Sequence, residues 1–124
     1  MGTVYFGIVE ISDPDGTTWD DVGFFSFGKD HDLAERIWAL TRGETKTRDW
    51  SGWTGDESAR LSYSARREFD NTHRGVNNAH GHLALSGEEF IGLKARSLRA
   101  YGISNMLRAY ADRNIPTRVL FWAS

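Results

Sequence analysis

The chain has no cysteine in its 124 residues and only two prolines. Without cysteine, disulfides, thiolate nucleophiles and cysteine-ligated zinc are excluded. Such a chain suits a reducing compartment, and a cytoplasmic location is expected. Pro14 and Pro116 both fall in short connections, so no proline-rich linker divides the sequence. Long apolar runs are lacking too: none approaches the roughly 18 residues of a membrane span, and no membrane association is expected. The start, "MGTVYFGIVEIS", has no basic leader and reads as a strand, not a signal peptide. Phe6 stands where N-myristoylation needs Ser or Thr. Neither repeats nor low-complexity segments occur. G-x-S-x-G, a P-loop and G-x-G-x-x-G are absent, so serine-hydrolase, P-loop and dinucleotide chemistry have no local support.

What is present is aromatic. Five Trp, four Tyr and seven Phe supply large side chains for one core, and a single domain spanning 1–124 is expected. Aromatics also dominate binding hot spots, so the excess fits an interface equally well. The net charge is −2 but unevenly placed. Residues 1–57 hold five Lys/Arg against twelve Asp/Glu, whereas residues 58–124 hold ten against five. If folding keeps the halves apart, the molecule is dipolar and docks in a preferred orientation on a charged partner.

Along the chain, "TVYFGIVEI" and "WDDVGFFSFG" read as strands joined by the turn "SDPDGTT". Phe25 and Phe27 share one face of the second strand and Phe24 takes the other. "KDHDLAERIWALTRG" predicts a helix capped by Asp30 or Asp32, with Leu33, Ile37 and Leu40 as its apolar stripe and Gly43 at its end. "DESARLSYSARREFD" predicts a second, capped by Asp56, with Leu61, Ala65 and Phe69 at i, i+4, i+8. In "SGEEFIGLKARSLRAYG" Ser86 and Glu89 form a capping box, Ile91, Ala95 and Leu98 line one face, and Gly102 ends a third helix. Ser104 then caps a fourth. "TRVLFWA", apolar throughout, predicts a central strand covered on both faces. The fold class is α+β: a small, mostly antiparallel sheet of N-terminal hairpin plus C-terminal strand, packed against about four helices.

The stretch "FDNTHRGVNNAHGHLALSGEE" concentrates the histidines. If "AHGHLAL" is extended, His80 and His82 point the same way, and His73 or Asp70 completes a set of metal donors. Imidazole suits a divalent metal such as zinc, whose bound water would allow hydrolysis. Alternatively His73, His80 and His82 with Arg74 or Arg67 could cleave an RNA phosphodiester by acid–base catalysis. A glycine- and asparagine-rich surface loop explains the same residues without chemistry. Trp50 and Trp53, in "RDWSGWTGD", either cap the core or anchor a partner, with Asp20, Asp21 and Asp49 as acidic contacts. Arg66, Arg67, Lys94, Arg96 and Arg99 offer a basic set for nucleic acid.

With no stringent catalytic motif, the first expectation is a small non-enzymatic interaction protein. An inhibitor or regulator of a larger, nucleic-acid-processing assembly, of the kind phages and mobile elements encode, fits this description. A protein partner is expected and a homodimer is compatible with it. The histidine-centred enzyme comes second, without a cofactor unless a divalent metal binds. A nucleic-acid-binding module comes third.

Overall fold

The computed structural model of the chain describes residues 3–15, 18–40, 61–73, 75 and 79–124. Four strands form one antiparallel sheet: β1 (Tyr5–Ser12), β2 (Trp19–Gly28), β3 (His80–Ser86) and β4 (Thr117–Ala123). Their order across the sheet is β2-β1-β4-β3. The described helices are α1 (His31–Ala39), α2 (Tyr63–His73), α3 (Gly87–Gly92) and α4 (Leu98–Ala111). This is the expected α+β architecture.

The two chain ends meet in the middle of the sheet, where β1 pairs with β4 from Tyr5↔Ala123 to Ile11↔Thr117. Both strands are apolar on both faces because both faces are covered. On one face Tyr5, Val9, Val119 and Phe121 pack with Leu33 and Ile37 of α1, Phe90 of α3, and Ile103 and Leu107 of α4. On the other, Ile8, Leu120 and Trp122 pack with Leu61, Ala65 and Phe69. Among the described residues the arrangement is three-layered, with α1, α3 and α4 on one side of the sheet and α2 on the other. Gly7 lets the Phe27 ring lie against β1, since a Cβ there would come within 2.8 Å of that ring.

The hairpin follows its turn chemistry. The Thr18 backbone N–H donates to Asp13 Oδ1 at 3.1 Å, and Asp13 N–H donates to the Thr18 carbonyl at 3.3 Å. α1 starts where Asp30 accepts from the Leu33 backbone N–H at 3.1 Å. Of the caps named from sequence, Gly43 and Asp56 lie outside the described residues.

Three expectations are corrected. First, the histidine stretch supplies a fourth strand. α2 runs through to His73, and β3 begins at His80 on the open side of β4. Second, the third helix is short. The capping box at Ser86 and Glu89 is present, but α3 stops at Gly92 and Lys94 takes a left-handed φ of 53°. α4 then starts under a new cap, Ser97, which accepts from the Ala100 backbone N–H at 3.2 Å. Third, α4 passes through Gly102 and Ser104 without a break. Ser104 is buried mid-helix, and Leu98, expected in an apolar stripe, is 87% exposed. The break at Lys94 rotates the helix that follows, so Leu98 leaves the face that Phe90 occupies.

Candidate interaction surface

Glu10 is the only charged residue of β1, and Arg118 the only one of β4. The strand register sets them opposite each other, on the α2 side of the sheet. Both are buried, and Arg118 Nε donates to Glu10 Oε1. The other carboxylate oxygen, Oε2, accepts from the Ser62 backbone N–H at 2.7 Å, at the start of α2. The Arg118 guanidinium lies 3.9 Å from the Trp19 ring centre, in cation–π contact. Burial pulls the Arg118 side chain below its ordinary pKa, and the Glu10 carboxylate pulls it back up. The node joins β1, β2, β4 and α2. Asp21 adds a second tie by accepting from Ser64 Oγ at 2.7 Å.

These ties hold α2 beside β2 and leave a cleft between them. One part, of about 220 Å³, is lined by Ile8 and Phe24 of the sheet and by Tyr63, Ser64, Arg67, Glu68 and Asn71 of α2. A second, of about 200 Å³, shares Phe24 and Glu68 and reaches Phe6 and Trp122. Phe6, Phe24 and Trp122 form a mutually contacting aromatic cluster, with ring centres 5.7 to 5.8 Å apart. Phe24 is nevertheless 60% exposed and Tyr63 78% exposed. Pockets for small ligands usually run to roughly 300–1,000 Å³ and enclose them. These two hollows are open to solvent, and a third, of about 410 Å³, continues along α2 past Tyr63, Arg66, Arg67, Asp70 and Asn71; a run of open hollows suits protruding side chains.

The sequence-derived sites fare differently. His80 and His82 do not share a face. Gly81 is left-handed, with φ of 67°, and β3 carries an extra residue between His80 and Leu83 relative to β4. This bulge breaks the period-two alternation on which the H-x-H reading depended. His80 is exposed and pairs with Ala123, which belongs to the α1 side. His82 is buried on the α2 side, stacked on Trp122 at 6.1 Å, with Nε2 3.3 Å from Thr72 Oγ1. His73 is the last residue of α2. Among the described residues no three His, Asp or Glu side chains gather as metal donors. Arg74, Asp49, Trp50 and Trp53 lie outside the described residues.

The basic set is split by the sheet. Arg66 and Arg67 stand on α2, where Arg66 is 3.8 Å from Asp70. Lys94, Arg96 and Arg99 lie around the α3–α4 turn on the opposite side, and Arg99 donates to the Ser26 carbonyl. Asp20 and Asp21 are exposed on β2; Asp21, opposite Glu10, is on the α2 side, and Asp20, opposite Ile11, is on the other. Phe24 and Tyr63 as surface residues, and the Glu10–Arg118 pair, emerge only from the structure. A lone charge in each of two otherwise apolar strands was the signal for that pair. The chain matches no known family model, no curated protein and no solved structure.

Proposed function

We propose that this is a non-enzymatic interaction protein that docks on a protein partner through the α2–β2 cleft. The observation that carries this reading is the pair Phe24 and Tyr63, two large rings left outside the core at the rim of a built cleft. Exposed aromatics over a rigid sheet are the usual anchors of protein recognition. Asp20 and Asp21, singled out as partner contacts from sequence, lie on the same strand as Phe24. Regulation of a larger assembly by blocking one of its surfaces is the role such a docking domain would serve.

Hydrolysis centred on His73, His80 and His82 finds less support, because the bulge at Gly81 separates His80 from His82. Nucleic-acid binding through the five basic candidates would need one continuous surface, and they lie on two sides of the sheet.

The test is a photo-cross-linking residue placed at Tyr63 and, as control, at Asn105 on α4. A discrete protein adduct should form from position 63 only. With the purified partner, Phe24→Ala or Tyr63→Ala should weaken binding by about thirtyfold, a hot-spot loss of about 2 kcal/mol. Equal adducts from both positions, or unchanged affinity in both variants, would count against the cleft.

A further inference from the structure

We infer that the partner of this surface includes a second copy of the chain, with β2 pairing antiparallel to β2 about a two-fold axis at Phe24. This rests on reading the Phe24 surface as a docking face. β2 lies at one edge of the described sheet and is its longest strand, with ten residues. Its register with β1 shifts twice, and between the shifts lies a regular run: Ser26, Phe25, Phe24 and Gly23 opposite Phe6, Gly7, Ile8 and Val9. Phe24 stands in the middle of that run, outside the core.

Charge selects the occupant. One end of β2 carries Asp20 and Asp21. The other end carries Lys29 just beyond Gly28, and Arg99 bonded to the Ser26 carbonyl. An antiparallel copy reverses the strand, so each acidic end meets the other's basic end, twice over by symmetry. A parallel copy would put like charges together. The faces agree as well. A two-fold axis perpendicular to the sheet keeps each face continuous, so directly opposed residues must share a face. Asp21, Phe24 and Ser26 pair with Glu10, Ile8 and Phe6, which all lie on the α2 side. With Val22 kept in its bulge, centring on Phe24 sets the two Phe24 rings side by side and brings Asp21 opposite Ser26, where Arg99 must exchange the Ser26 carbonyl for the incoming Asp21 carboxylate. Asp20 then falls near the partner's basic end.

Sedimentation velocity over a concentration series provides the first reading. The 14.0 kDa chain should reach twice its mass. Phe24→Lys, which opposes two ammonium groups at the axis, should raise the dissociation constant at least about tenfold. The charge-reversed chains Asp20→Lys/Asp21→Lys and Lys29→Glu/Arg99→Glu should each fail to self-associate, yet pair one-to-one when mixed. Because the chain lacks cysteine, Phe24→Cys gives a unique thiol that should oxidise to a disulfide dimer, with Asn105→Cys as control. A wild-type chain that stays monomeric, with Phe24→Cys oxidising no faster than the control, overturns the proposal. So does a dimer indifferent to Phe24→Lys and to both reversals. If the chain is monomeric while Tyr63 still captures another protein in a Phe24-dependent way, self-pairing fails and the docking reading stands. If neither a dimer nor an adduct forms, both fail.

Discussion

At the scale of single residues, the most consequential contact is Glu10 with Arg118. A buried ion pair is not a simple gain, because both groups lose water, and the attraction offsets that loss only when hydrogen bonding is complete. Here Glu10 uses both oxygens, one on Arg118 and one on the Ser62 backbone N–H. Removing one partner strands a buried charge. Arg118→Met should therefore cost about 3–5 kcal/mol in urea denaturation. The double variant Glu10→Leu/Arg118→Met should recover much of that loss, short of the unpaired Ser62 N–H, which costs about 1–3 kcal/mol. Additive effects of the two single changes would show that the pair is not coupled. Gly81 offers a second residue-scale test. Its left-handed φ of 67° is strained for any side chain, so Gly81→Ala should destabilise by about 1–2 kcal/mol. A neutral result would mean that the bulge relaxes.

At the scale of elements, the α3–α4 region separates local signal from tertiary context. Gly102 looks like a helix end, yet it sits inside α4, exposed, with nothing within 4 Å of a Cβ placed there. Glycine in a helix interior is less favourable than alanine by roughly 0.5–1 kcal/mol. Gly102→Ala should raise stability by about that amount, and a loss on thermal denaturation would place the helix end where the sequence suggested. Ser97→Ala should cost about 1 kcal/mol by removing the true cap. What was legible followed from period and turn chemistry. The hairpin, the Asp30 cap, the Ser86 box and the doubly covered "TRVLFWA" strand each have a strong local cause. What was not legible depended on partners far along the chain. "LKARS" has good helix formers, but Arg36 of α1 donates to the Leu93 carbonyl at 3.0 Å, which stabilises a broken helix at that point. β3 was legible only as one of two readings, extended or loop, because Gly81 between two histidines suits a loop, although glycine within a strand pattern also marks a bulge. Asp20 and Asp21 could be picked out as surface acids, but Phe24 could not be told from a core residue. That distinction depends on how much of β2 α2 covers.

At the scale of the whole molecule, the described residues cover the two sides of the sheet unequally. Among them, three helices share one core with β1 and β4, whereas α2 packs on the other side through Leu61, Ala65 and Phe69 together with polar ties. Those ties include Ser62 N–H to Glu10, Ser64 to Asp21, and Thr72 with His82. Regions with less buried apolar contact open at lower free energy than the global transition. α2 also forms one wall of the cleft, so its opening would reshape the docking face. Native-state hydrogen exchange should show the amides of 65–73 exchanging through a sub-global opening, weakly dependent on denaturant, while β4 and α4 exchange only with global unfolding. A bound partner that spans α2 and β2 would slow that opening in proportion to its differential affinity, while β4 would respond only to the gain in global stability. If α2 and β4 amides instead share one exchange free energy and one denaturant slope, the molecule unfolds as a single unit, and recognition at the cleft proceeds on a fixed surface.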